Sequence, residues 1–232
     1  MGPERKEKLV PLQERLGYRF RDLNYLNKAL THKSYVNESP DSLKNNERFE
    51  FLGDSVLDLI VSHYMVRNFP DFAEGALSKI RAAVVNENCL AQLSRQIDLG
   101  SYLLLGKGEE LSGGRSKPSL LANTYEAVVG AVYFDSELET TRNTFLSQLE
   151  PEIKKYAETW EFRDFKSELQ EFTQVKLSCI PSYKVVKETG PDHAKQFEVV
   201  VLTQNEVRGR GRGKSKKEAE QNAAQNALER LG

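Results

Sequence analysis

Long apolar runs are missing from this chain. Nowhere does it reach the roughly 20 consecutive apolar residues of a membrane span, and the start, MGPERKEKLV, has no apolar stretch of signal-peptide length. Lys6 also stands where a myristoylation motif needs Ser or Thr. Cysteine is nearly absent: Cys89 and Cys179 are too few and too far apart for a disulfide framework or a structural zinc site, which fits a reducing cytosol. Net charge is nearly absent too. The 33 Lys and Arg stand against 34 Asp and Glu, so affinity for a polyanion has to come from the distribution of charge and not its total. Together these absences imply a cytoplasmic protein with no membrane partner. What is present, 232 residues of which 39% are hydrophobic, suffices for two modest domains with real cores.

Up to about residue 150 the apolar residues recur at i, i+3 and i+4, which predicts helices. The segments are LVPLQERLG, LNYLNKALTHKSY, NERFEFLGDSVLDLIVSHYMVRNF, GALSKIRAAVVNENCLAQLSRQI, SLLANTYEAVVGAVYFD and LETTRNTFLSQLEPEIKKYAE, separated by Gly17, Pro70, Gly75, Gly100 and the loop GKGEELSGGRSKP. After Trp160 the grammar changes. DFKSELQEFTQVKL reads as a helix, SYKVVKE and KQFEVVVLTQ alternate with Phe197, Val199 and Val201 on one face, EVRGRGRG supplies a third strand, and SKKEAEQNAAQNALERL closes as a helix. The expectation is an all-α domain over 1–152, a linker over 153–163, and a small α+β domain of order αβββα over 164–232, whose helices cover one face of its sheet.

In NERFEFLGDSVLDL the acids Glu47, Glu50, Asp54 and Asp58 step by three and four, so they share one helical stripe. Like charges at that spacing cost an isolated helix roughly 0.2–0.5 kcal/mol per pair. Asn123 and Glu126 stand three apart on a second, more apolar helix. If the two helices pack, Glu50, Asp54, Asn123 and Glu126 can share one small volume. Carboxylates crowded away from water demand a cation, and hard oxygen donors without Cys or His favour Mg²⁺, with Mn²⁺ as a substitute. Magnesium held by few carboxylates keeps waters and recruits substrate phosphate, so phosphoryl chemistry is its natural use. Two plainer readings stand beside this one. An acid stripe is commonly a solvated helix face, and Asn-x-x-Glu is also a capping box in which Asn123 begins a helix.

VRGRGRGKSKKEAE gathers Arg208, Arg210, Arg212, Lys214, Lys216 and Lys217. Ser215 followed by Glu218 is a capping box, which puts Lys216 and Lys217 in the first turn of the last helix, where the helix dipole already supplies positive charge. Lysines beside orphan amides make an anion site, and the alternating glycines would let backbone approach a phosphate closely. The alternative is a solvated basic loop. His193, between two strands, reads either as an exposed turn residue or as a groove contact.

NERFEFLGDSVL closely resembles the ribonuclease III signature, LLANTYEAVVGAVYFD resembles that family's other metal-site motif, and GKSKKEAEQNAAQNAL resembles the end of a double-stranded-RNA-binding domain. The motifs stand in the family's order over nearly the whole chain. The resemblance implies an all-α endonuclease domain followed by a double-stranded-RNA-binding domain, acting as a homodimer without an organic cofactor. By family position Asp54 and Glu126 would be catalytic, Glu50, Asn123 and Glu126 would hold Mg²⁺ with Glu47 in support, and Phe51 would sit at the dimer contact. Asn123 departs from the commonest pattern, in which that position is Asp. An amide oxygen ligates a hard cation without bringing charge, so it should hold Mg²⁺ more weakly. The implied reaction is hydrolysis of double-stranded RNA to 5′-phosphate and 3′-hydroxyl ends with a staggered cut, in the processing of ribosomal precursors and messages. Gln170, Glu171 and His193 would meet two minor grooves, and Lys214, Lys216 and Lys217 the phosphates between them. His32, Lys33, Ser34 and Lys117 lie in family-like surroundings with no role beyond structure or phosphate contact. A second reading, prompted by Asn123, is a double-stranded-RNA-binding regulator of the same fold that no longer cuts.

Overall fold

The computed structural model describes residues 1–38, 44–72, 74–161, 165–191 and 195–231, with only the backbone at 160 and 161. It divides into two compact units, Met1–Glu161 and Phe162–Gly232. The first is helical: α1 (Pro3–Lys8), α2 (Val10–Leu16), α3 (Leu23–Ala29), α4 (Lys33–Glu38), α5 (Glu47–Asn68), α6 (Glu74–Val84), α7 (Glu87–Gln96), α8 (Lys107–Leu111), α9 (Pro118–Asp135) and α10 (Leu138–Glu161). Proline opens α1, α2 and α9, where its missing N–H is no loss. The segment 153–161, expected to lead out of the domain, is the last part of α10.

Two expected helices are broken. LNYLNKALTHKSY splits at Thr31, which bridges to Leu104, with Leu104 N donating to Leu30 O and His32 N to Leu104 O. GALSKIRAAVVNENCLAQLSRQI splits at Asn86, whose Oδ1 accepts from Cys89 N at 2.9 Å and so caps a new helix, α7. Conversely, part of the loop 106–118 is helical, as α8. Among the described residues no helix is long and apolar enough to cross a membrane.

The core lies between α5, α9 and α10, with Leu57, Ile60, Tyr125, Val128, Val129 and Phe145 all essentially buried. Helix α9 is apolar on almost every side because α3, α5 and α7 pack around it. Its crossing with α5 is made at two glycines. A Cβ on Gly53 would stand 1.8 Å from Glu126 O, and one on Gly130 2.2 Å from Phe49 O. The helices therefore meet backbone to backbone, which brings the acid stripe of α5 beside Glu126.

The second unit follows the expected order: α11 (Phe165–Leu177), β1 (Ser182–Thr189), β2 (Gln196–Thr203), β3 (Glu206–Gly213) and α12 (Lys216–Leu231), with an antiparallel sheet in the order β1-β2-β3. The two-residue turn between β2 and β3 has Gln204 and Asn205 both at positive φ, which suits the right-handed twist of a hairpin. Val199 and Val201 are fully buried under α12 with Ala219, Ala223 and Ala227. The alternating glycines of β3 serve this packing: a Cβ on Gly209 would stand 2.2 Å from Ala223 O, and one on Gly211 2.2 Å from Ala223 N. The expectation that they open a path for phosphate is thus corrected. They admit the alanine face of α12.

Candidate active site and RNA-binding surface

Helix α9 begins at Pro118, with Lys117 at its N-cap, so Asn123 lies inside the helix and the capping-box reading falls. Lys117 is tied down, its ammonium donating to Glu109 and, at 2.8 Å, to Ser112 Oγ. Asn123 and Glu126 share the face of α9 turned to α5, one turn apart.

The four acids of α5 do not behave alike. At the ends of the stripe, Glu47 lies 3.4 Å from Lys33 Nζ and accepts from Asn45 at 3.0 Å, while Asp58 lies 3.7 Å from Arg81 Nε. Between them, the Glu50 and Asp54 carboxylates have no hydrogen bond or ion pair among the described residues, and neither does that of Glu126. Burial pushes the Glu126 carboxyl up to about 7, with Asp54 and then Glu50 adding to the rise. Glu50 is raised as well, first by burial and then by Glu47. Among the described residues these three acids thus lack a direct ion-pair partner, although the Lys33 charge eases Glu50 from a distance, and the rise at Glu126 is more than a merely solvated stripe would show.

A small cleft of about 110 Å³ is lined by His32, Lys33, Asn46, Glu47, Glu50, Leu120 and Asn123. Here the structure brings together Glu47, Glu50 and Asn123. Asp54 and Glu126 lie outside that lining, and Asp54 is exposed. Among the described residues no three His, Cys, Asp or Glu side chains are arranged as a metal site. The donors nevertheless suit magnesium, which commonly takes one or two carboxylates and fills its octahedron with water and substrate oxygen.

His32 is the cleft residue that periodicity passed over. Ser34 N donates to its Nδ1 at 3.2 Å, and Ser34 Oγ, itself accepting from Gly106 N, lies 2.8 Å from the same nitrogen. A nitrogen that accepts carries no proton, so the neutral ring carries it on Nε2, which has no partner among the described residues. Burial holds the imidazole below its ordinary pKa, which favours the neutral ring. The signal in the sequence was His-x-Ser, a local side-chain to backbone pattern with no periodic signature.

In the second unit Gln170 and Glu171 are exposed on α11. The Ser215 half of the capping box forms, Glu218 N donating to Ser215 Oγ at 3.1 Å, while Glu218 Oε2 reaches one residue further back and accepts from Lys214 N at 2.7 Å. Lys216 and Lys217 stand in the first turn of α12 as expected. Lys216 Nζ lies 3.2 Å from Glu188 and 5.6 Å from the centre of the Phe197 ring, whereas Lys217 is exposed without an ion-pair partner among the described residues. His193 lies outside the described residues.

Two family models match the chain, one described as Ribonuclease-III-like over residues 22–153 and one as Double-stranded RNA binding motif over 165–231. Ribonuclease 3 of Nitratiruptor sp. is 47% identical over 97% of this chain and 97% of its own length; ribonuclease 3 of Pelotomaculum thermopropionicum is 47% identical over 97% and 94%. A structure of the nuclease domain of ribonuclease III from Campylobacter jejuni, described as flexible in a region involved in dimer formation, superposes with a TM-score of 0.58 at 42% identity, covering 62% of this chain and 97% of that one. The chain belongs to the ribonuclease III family.

Proposed function

We propose that the chain is a metal-dependent endoribonuclease that hydrolyses double-stranded RNA, working as a homodimer. The observation that carries this reading is the backbone contact of Gly53 and Gly130, which sets Glu50 and Asp54 beside a Glu126 carboxyl raised to about 7. Likeness to ribonuclease 3 proteins along the full chain favours the nuclease over a non-cutting regulator.

Glu50, Asn123 and Glu126 would hold Mg²⁺, with Mn²⁺ as a substitute, and Asp54 would complete the acidic set. When bound, the metal supplies an activated water and stabilises the charge that builds on the scissile phosphate and its leaving 3′ oxygen. The chain's own groups do the rest. Glu47, held by Lys33 and Asn45, borders the cleft and adds negative potential without entering the unpaired trio. The Nε2–H of His32 offers the cleft a neutral donor for a phosphate oxygen. Gln170 and Glu171 would meet a minor groove, and Lys214, Lys216 and Lys217 the phosphates, with His193 assigned to the next groove by family position. Products with 5′-phosphate and 3′-hydroxyl ends, a staggered cut, and a cytoplasmic role in ribosomal and messenger RNA processing complete the proposal.

The test is Glu126→Gln in the full chain. Cleavage of perfect duplex RNA in Mg²⁺ should fall about 10²–10³-fold, the loss of roughly 3–4 kcal/mol of transition-state stabilisation. Duplex affinity in Ca²⁺ should barely change, and the rise in melting temperature that Mg²⁺ gives the native chain should disappear. Equal loss of binding and cleavage would contradict this division of roles.

A further inference from the structure

Strand alternation divides the basic run that the sequence presents as one cluster. Because Gly209, Gly211 and Gly213 face α12, Arg210 and Arg212 project from the opposite face of the sheet, which the proposed duplex-binding residues do not use. The strand register builds two rows there. Lys187, Glu198 and Arg212 lie side by side across the three strands, and Lys184, Val200 and Arg210 form the next row.

Glu198 is the one acid of these rows, so together they carry a formal +3. Its carboxylate lies 3.2 Å from Arg212 and 3.9 Å from Arg210; its side chain is 18% exposed, while theirs are 77% and 65% exposed. The acid therefore anchors two guanidinium groups from beneath and leaves their outer edges open. Val200, although on this outward face, is only 5% exposed. Lys184 and Arg210, its neighbours in the row, have stems long enough to lie over it. Beside them opens a concavity of about 350 Å³, where Thr189 and Gln196 add a hydroxyl and an amide to Lys187 and Arg212.

We propose that this outer sheet face is a second RNA site, which binds the phosphate backbone of a strand other than the duplex held at the edge of α11 and α12. Same-face residues two apart on a strand stand about 6.6–6.8 Å from each other. That step between Arg210 and Arg212 is comparable to the spacing of successive phosphates along one RNA strand. Guanidinium groups grip phosphate oxygens in pairs, and Thr189 and Gln196 suit sugar hydroxyls. An acidic peptide fits less well, because Val200, the apolar residue of these rows, is buried, and the concavity beside them is walled by polar and charged side chains apart from Phe197. The inference rests on RNA being the ligand of this unit. It would give the enzyme a hold on single-stranded RNA flanking the duplex it cuts.

The experiment uses the full chain in Ca²⁺, saturated with a duplex of about 16 base pairs, to which a fluorescent oligouridylate is added. The loaded chain should bind the oligouridylate. Lys187→Ala with Arg212→Ala should weaken that binding about tenfold and flatten its salt dependence by about 1.4 in log–log slope, from two lost single-strand contacts. Glu198→Gln should tighten it, an effect that misfolding cannot produce. Lys216→Ala with Lys217→Ala should weaken duplex binding alone, so failure of the duplex reading shows separately. Displacement of the oligouridylate by duplex, no gain from Glu198→Gln, or equal competition by polyglutamate at matched charge would overturn the proposal.

Discussion

A carboxylate is defined here by its neighbours. Glu47 and Asp58 have ion-pair partners, whereas among the described residues Glu50, Asp54 and Glu126 have none, and that difference is what singles out the inner trio as the proposed site. Spacing in the sequence showed that the four acids of α5 share a stripe, but the choice of partners depends on Lys33 and Arg81, which come from other helices. His32 extends the argument, since its acceptor edge is occupied by Ser34 and its donor edge is left for the cleft. A glutamine at this position places an N–H near the lost Nε2, whereas asparagine places an acceptor near the lost Nδ1. His32→Gln should therefore keep cleavage within about tenfold, while His32→Asn should lower kcat about 10²-fold, the usual scale for losing one transition-state donor, with duplex affinity unchanged. The reverse order, Asn active and Gln inactive, would show that His32 acts only by stapling the chain at Gly106.

Periodicity carried the elements well, because an amphipathic helix or strand needs only its own residues to declare itself. The order αβββα and the helices of the first unit were legible in this way. The breaks at Thr31 and Asn86 were not, since one depends on a bridge to Leu104 and the other on a cap that competes with a continuing helical pattern. Least legible was the crossing of α5 and α9. Gly53 and Gly130 look like weak points in two helices, yet they are where the helices touch. Gly53→Ala would drive a methyl group into Glu126 O, and backbone cannot step aside as a side chain would. Overpacking of this kind costs about 1–3 kcal/mol or more. Near its upper end, that lowers the melting temperature of a unit this size by roughly 6–12 °C. Calorimetry should show this drop in the helical transition alone. Below that transition cleavage should still fall, because separating the helices moves Glu126 away from Asp54, whereas duplex binding should hold. A stability change of under 1 °C would mean that the crossing is looser than these contacts require.

The whole chain is nearly neutral because its units oppose each other: residues 1–161 carry 20 basic against 24 acidic residues, and residues 162–232 carry 13 against 10. Association of two copies, as proposed, has a candidate contact on α5. Phe51 is 80% exposed on α5, and Leu59 and Val66 on the same helix are 50% and 65% exposed. An aromatic ring this bare gains most by entering a pocket on a second molecule, and a two-fold axis would let each copy supply both ring and pocket. Phe51→Asp should then turn a dimer into a monomer in sedimentation at micromolar concentration, since burying the new carboxylate unpaired would cost several kcal/mol. The catalytic consequence is more specific than lost activity. If each copy cuts one strand, the residual activity of the monomer should leave nicked duplexes, visible as full-length complexes under native conditions and as fragments after denaturation. A dimer that persists would remove Phe51 from the contact, and a monomer that still severs both strands together would remove the two-site scheme.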